Sequence, residues 1–239
     1  MPTDRAIKAA MLLGVGLGFF QQASGSEAAV YYTPDVLKEH DWDQTMVLKG
    51  NMGVGGCKLL GEVVAFVLLD SRIGRRPLFL TSSVLVTICL VMVGTAFAQE
   101  WETLVVFFWL CMFMFTFSLG LGPVTFVVAS EIFPVAVRGK AMSIVIFVNR
   151  FMSGIIASSF ETLEDWISKP EAFYFFAILS FVSIAFYYFK VPETRGKTLE
   201  AIAADLGSVA PPGSRNVGGG RGEARHVPLV NSEEEEELE

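Results

Sequence analysis

The sequence predicts an all-α membrane protein of six transmembrane helices, with both termini on the cytoplasmic side. Three observations lead there. Hydrophobic residues make up 52% of the 239-residue chain and stand in long blocks. Charged residues reach only 18%, against roughly 25% in soluble domains. Basic and acidic residues also sort into alternate connections between the blocks. The mean hydropathy is +0.51.

A bilayer core about 30 Å thick needs about 20 apolar residues per helix. The blocks that meet this run from about Ile7 to Leu37, with a break at Gly25-Ser26, and from about Thr45 to Leu69. The others cover Leu78 to Ala98, Leu104 to Ala129, Ala141 to Phe160 and Ala172 to Phe189. One set of connections holds Arg72, Arg75 and Arg76, then Arg138 and Lys140, then Lys190, Arg195 and Lys197; Arg5 and Lys8 fall on the same side. The alternate set is acidic: Glu39, Asp41 and Asp43, then Glu100 and Glu102, then Glu161, Glu164, Asp165 and Glu171. The positive-inside rule makes the first set cytoplasmic, and both termini with it, so the number of spans must be even. Trp42, Trp101 and Trp166 fall in the acidic set, where an interfacial aromatic belt belongs. Residues 1–200 thus form the bundle. Residues 201–239, with Pro211-Pro212, Gly218 to Gly220 and the run Glu233 to Glu237, read as a disordered acidic cytoplasmic tail. That run accounts for most of the net charge of -7.

Polar groups at membrane depth are costly and need compensation. The first helix carries Gln21-Gln22-Ala23-Ser24-Gly25-Ser26-Glu27. Amides give and take hydrogen bonds, as a ligand rich in hydroxyls requires, and Gly25-Ser26 could unwind the helix beside a cavity. Bonding between packed helices is the other use of such residues. Lys58 and Glu62 lie four residues apart on one face of the second helix, either as a neutralised pair or with Lys58 lining the cavity. Gly50, Gly53, Gly55, Gly56 and Gly61 on that helix, and Gly14, Gly16 and Gly18 on the first, read mainly as close-packing positions. Gly120-Leu121-Gly122-Pro123 predicts a kink in the fourth helix, as a gate or a static bend, flanked by Phe117 and Phe126, whose rings could stack on a sugar. Asn149-Arg150 lies in the fifth helix. Arg150 stays charged, so it needs a watery cavity or an anion, for which Glu27 is a candidate.

Charged clusters surround Asp70, Arg75 and Arg76, then Glu131 and Arg138, then Glu193 and Arg195. They are either the topology signal alone or a cytoplasmic salt-bridge latch that biases a two-state equilibrium.

Other chemistries find no support. Cys57, Cys89 and Cys111 lie in apolar stretches without C-x-x-C spacing, which points to buried free thiols and to no metal site. His40 and His226 are far from any catalytic set, so an enzyme is not expected, nor a cofactor. No basic patch interleaved with aromatics suggests nucleic acid.

Gln21 to Gly25 through Tyr31-Tyr32, Asp70 to Arg76, Ser130 to Gly139 and Pro192 to Glu200, in that order, resemble the sugar porter branch of the major facilitator superfamily. Gln-Gln-Ala-Ser-Gly, Lys58 and Asn149-Arg150-x-x-Ser153-Gly154 resemble its plant polyol and monosaccharide proton symporters most. The resemblance implies the C-terminal six-helix bundle of a twelve-span fold that transports a monosaccharide or polyol by alternating access, with a proton as coupling ion. It implies that Gln21, Gln22, Glu27, Phe117, Phe126 and Asn149 face the substrate, with Lys58 beside them. Glu27 stands where Asn or Asp is usual, Phe126 where Trp is usual, and Ser71 lengthens the Asp70 turn by one residue.

The N-terminal bundle is expected to be absent, so the partner would be that missing half or a second copy, within the lipid bilayer. The proton-coupling acid would lie in the missing half. The plasma membrane is expected ahead of vacuolar or other internal membranes. The alternative function is a non-transporting membrane sugar sensor or interaction module.

Overall fold

The computed structural model describes residues 4–39, 43–70, 73–197, 201, 202 and 205, the side chains at 4, 5, 31, 32, 35–39, 70 and 160–165 excepted. The expectations for Trp42, Arg72, the Asp70 side chain and the acidic run at 233–237 lie outside the described residues.

The described residues are helical apart from short connections. The elements are α1 (Asp4–Ala23), α2 (Ser26–Glu39), α3 (Gln44–Asp70), α4 (Arg75–Ala98), α5 (Thr103–Leu119), α6 (Leu121–Ile132), α7 (Val135–Trp166) and α8 (Lys169–Lys190). Joining α1 to α2 and α5 to α6 across their breaks gives six helices long and apolar enough to cross a membrane. α4 packs most extensively on α8, α3 on α5 and α1 on α7. The core between them is built from Leu17, Phe79, Val86, Leu90, Phe113, Leu121 and Phe133, all essentially without exposure. α3 and α7 stand at the periphery: only 17% and 22% of their spans are buried, against 50% for α4. Their outward residues, Phe66, Phe147 and Phe151 among them, are apolar, as contact with lipid or another bundle requires.

Several boundaries differ from the hydropathy windows. α7 starts at Val135 and takes in Arg138 and Lys140, and its far end takes in Glu161 and Glu164. An apolar window locates only the lipid-buried part of a helix, and charged turns beyond the bilayer remain helical. Glu171 is less a loop residue than a cap: its carboxylate accepts the Ser168 backbone N–H at 2.9 Å at the start of α8. Ala201 and Ile202 are helical, Ile202 is buried, and Lys197 pairs with Asp205 at 2.6 Å. Packing therefore continues past residue 200, where composition changes first.

The glycines divide. Gly18 sits against the backbone of α7, where an added Cβ would meet the Val145 carbonyl at 2.9 Å. Gly61 sits closer still to α5, where an added Cβ would meet the Phe115 carbonyl at 2.6 Å. At Gly55 and Gly56, expected to pack in the same way, an added Cβ would meet nothing within 4 Å. Among the cysteines Cys89 is buried, but Cys57 and Cys111 are only partly so.

Candidate functional site

Two helix breaks meet inside the bundle. The first is at Ser24-Gly25, between α1 and α2. Gly25 has φ +77°, and a Cβ there would lie 2.8 Å from Phe176 of α8, so both backbone and space demand glycine. Ser24 Oγ donates to the Gln21 carbonyl at 2.6 Å, satisfying a backbone acceptor the break would otherwise leave over. The second is at Gly120, between α5 and α6. The sequence predicts a kink here, and the structure makes a full break. Pro123 falls in the first turn of α6, where its missing N–H costs little. The Leu121 N–H at the new helix start donates to Ser82 Oγ of α4 at 3.0 Å, and Ser82 donates onward to the Thr116 carbonyl at 2.7 Å.

Gln21 connects the breaks. Its Nε2 donates to the Leu121 and Gly122 carbonyls at 3.0 and 2.8 Å, and its Oε1 accepts from Asn149 Nδ2 of α7. Asn149 Nδ2 also donates to the Gly18 carbonyl at 3.1 Å. Asn149 Oδ1 accepts from Gln22 Nε2 at 3.1 Å and from Arg150 Nε and Nη2 at 3.1 and 2.8 Å. Arg150 Nη1 then lies 3.8 Å from Glu27 Oε1, the pair foreseen from the sequence.

Beside this network is a cavity of about 520 Å³, within the range of small-molecule sites. Gln21, Gln22, Glu27, Lys58, Phe117 and Phe126 all line it. One side is hydrogen-bonding; Phe117, Phe126 and Met114 supply an apolar side. Asn149, placed on the wall by the sequence reading, is fully buried one layer behind it and positions Gln21, Gln22 and Arg150 instead. Lys58 and Glu62 both reach the cavity, and among the described residues no ion pair joins them. Glu62 and Met114 line the cavity without having been assigned to it, and so do Ser26, from the polar run read as lying beside a cavity, and Arg150, for which the sequence left a watery cavity or an anion open. The signals were in reach: Glu62 is one helical turn from Lys58, Met114 one turn from Phe117, and Arg150 next to Asn149.

At the charged end, Arg75 Nη2 pairs with Glu131 Oε1 at 3.0 Å. Glu131 Oε2 accepts from Thr194 Oγ1. Among the described residues Glu193 binds backbone N–H groups and no guanidinium. Its oxygens accept the N–H groups of Arg75 and Arg76 at 3.0 and 3.2 Å, at the start of α4, and that of Arg195 at 3.0 Å. This places a negative charge at a helix N-terminus, where the dipole favours it. The Arg76 guanidinium turns instead to the Tyr188 carbonyl and lies over the Tyr188 ring, 5.3 Å from its centroid. Arg138 bonds the Phe133 carbonyl at 3.2 Å within its own segment.

A membrane-embedded six-helix bundle with two broken helices around a polar cavity is the half of a major facilitator fold. The sequence profile described as "Sugar (and other) transporter" matches residues 3–206, and the chain belongs to that family. It is 36% identical over 202 residues to "Probable polyol transporter 4" of Arabidopsis thaliana, covering 82% of this chain and 38% of that protein. To Polyol transporter 5 of the same plant it is 37% identical over 207 residues, with the same coverage of 82% and 38%. Its fold matches the proton:xylose symporter XylE bound to 6-bromo-6-deoxy-D-glucose, with a TM-score of 0.75 and 28% identity over 82% of this chain and 42% of that one; XylE is an E. coli protein. The chain thus spans about two fifths of the length of these relatives.

Proposed function

We propose that this bundle is the substrate-holding half of a carrier for a neutral monosaccharide or polyol. It works by alternating access against a second six-helix bundle, supplied by further polypeptide or by a second copy. The observation that carries this reading is the cavity at the two helix breaks, where Gln21, Gln22, Glu27 and Lys58 face Phe117 and Phe126. Hydroxyls would bond to the polar side while the C–H face of the ligand stacks on the rings. Asn149 holds the amides and Arg150 in place. The names of the relatives support the solute class, and the likeness to a proton:xylose symporter supports proton coupling. The end gathered around Arg75, Glu131 and Glu193 acts as a latch, holding helix ends together in this conformation and releasing them in another. We place that end in the cytoplasm, on the charge pattern of the connections, and the protein in the plasma membrane.

Uptake of radiolabelled hexoses and hexitols into transporter-null cells tests this, for the chain alone and joined to a matching six-helix half. Saturable uptake by the joined form, raised by an inward proton gradient, is expected. Absence of uptake from both forms counts against the carrier, and uptake indifferent to the gradient removes the proton.

A further inference from the structure

Cys57 of α3 and Cys111 of α5 do not line the cavity, yet the packing of these two helices sets them against each other. The helices run in the same direction with a matched register. A Cβ added at Gly53 would meet the Phe107 ring at 3.1 Å, and one at Gly61 would meet the Phe115 carbonyl at 2.6 Å. Cys57 stands four residues from each of these glycines, and Cys111 four residues from each of these phenylalanines. Positions four apart share a helix face, so the cysteines occupy the middle of one contact stripe. The two thiols are in hydrogen-bonding contact across it. A disulfide needs Cα atoms about 4.4–6.8 Å apart, which helices reach where a small residue lets their backbones close up. Gly61 supplies that closeness one turn from Cys57.

Access separates this pair from the third cysteine. Cys89 is buried, with its sulfur 3.9 Å from Thr116 Oγ1. Cys57 and Cys111 are partly exposed, and an added Cβ at Gly55 or Gly56, just before Cys57, would meet nothing within 4 Å. Both cysteines lie midway along their helices, at lipid depth. A reagent that reaches them there must be uncharged.

We propose that Cys57 and Cys111 form a redox site, in which a small uncharged hydroperoxide converts the thiol pair into a disulfide that staples α3 to α5. One sulfur takes the terminal peroxide oxygen as a sulfenic acid; the O–O bond breaks and an alcohol leaves. The second sulfur then bonds to the first, the S–O bond breaks and water leaves. The thiols give up two electrons and two protons, and the hydroperoxide is reduced to alcohol and water. Lys58 follows Cys57 on α3, Met114 lies one turn past Cys111 on α5, and both line the cavity. The bridge therefore fixes two parts of the cavity wall relative to each other and blocks the helix rearrangement that alternating access needs. That block rests on the carrier reading above; the bridge does not.

The full chain in membranes is treated with tert-butyl hydroperoxide, unfolded, and labelled with maleimide-polyethylene glycol to count its free thiols. Wild-type protein should fall from three reactive thiols to one, Cys89, and return to three with dithiothreitol. Cys57→Ala and Cys111→Ala should each keep both remaining thiols, and Cys89→Ala should lose both of its own. A wild-type count that stays at three, or a disulfide-linked dimer on a non-reducing gel, overturns the site and leaves the carrier reading standing. Uptake of tritiated sorbitol by the chain joined to a cysteine-free six-helix half tests the block. Oxidation should remove most of the wild-type uptake, dithiothreitol should restore it, and Cys57→Ala should be indifferent to both. Uptake that persists with the bridge formed overturns the block. Absence of uptake before oxidation overturns the carrier reading and the block with it, while the thiol count still decides the site.

Discussion

The cavity wall and the charged end are built from the same residue types, yet their bonding differs. At the end, Glu193 accepts three backbone N–H groups, and Glu131 is held by Arg75 on one oxygen and Thr194 on the other. At the cavity, Glu27 stands 3.8 Å from Arg150 and open to the space between α2, α3 and α7. Among the described residues the carboxylates of the first region accept two or three hydrogen bonds each, whereas Glu27 and Glu62 of the second have their acceptor capacity open to the cavity. Saturation of hydrogen bonds, not the presence of charge, separates a cluster that ties helices together from one able to meet a ligand.

That contrast can be broken from either side. The largest stability loss should follow Glu193→Ala. Three backbone donors lose their acceptor and the start of α4 loses its negative charge, which together cost about 2–3 kcal/mol. Thermal unfolding in detergent should show the drop, while sorbitol affinity changes by less than about threefold. An affinity that falls in step with stability means the two regions are not separate. Asn149→Ala comes next. Interhelical hydrogen bonds in membranes average about 0.6 kcal/mol, near the low end of the soluble-protein range, and Asn149 serves Gly18, Gln21, Gln22 and Arg150. A loss of about 2 kcal/mol is expected. Because this residue stands behind the wall, it should lower ligand affinity too, through the freed Arg150. Gly25→Ala should cost about 1–2 kcal/mol from the left-handed backbone alone, with Phe176 displaced as well, and circular dichroism during thermal unfolding measures it.

Much of this architecture is legible in the sequence, for identifiable reasons. Lipid demands long apolar helices, so hydropathy finds the spans, and Gly25 and Pro123 have few roles at membrane depth other than a break. What escapes is azimuth. Asn149 and Arg150 are adjacent and about 100° apart around α7, and only the packing of α7 on α1 decides that the amide turns inward and the guanidinium reaches the cavity. The same applies to Gly55 and Gly56, which face open space while Gly61 on the same helix touches α5. Glu193 escapes for another reason. A sequence displays the charges of Arg75 and Arg76 but not their backbone N–H groups, which are what the carboxylate binds.

The smallest expected stability effect sharpens the contrast most, because it compares neighbours of identical chemistry. Gln21 joins the two helix breaks through three hydrogen bonds. Gln22 makes one to Asn149 at 3.1 Å and a long one from Ser26 at 3.4 Å. Gln22→Ala should therefore cost about 0.6 kcal/mol of stability, and Gln21→Ala about 1.5 kcal/mol. Ligand binding should rank them the other way. The bond from Gln22 to Asn149 uses one amide hydrogen and leaves the other to the cavity, so Gln22→Ala should weaken sorbitol binding by about tenfold. Gln21→Ala should weaken it by about threefold, through its hold on Asn149. Paired measurements of unfolding temperature and binding constant on the two variants decide it. If both quantities rank the glutamines alike, hydrogen-bond saturation does not distinguish the two kinds of site.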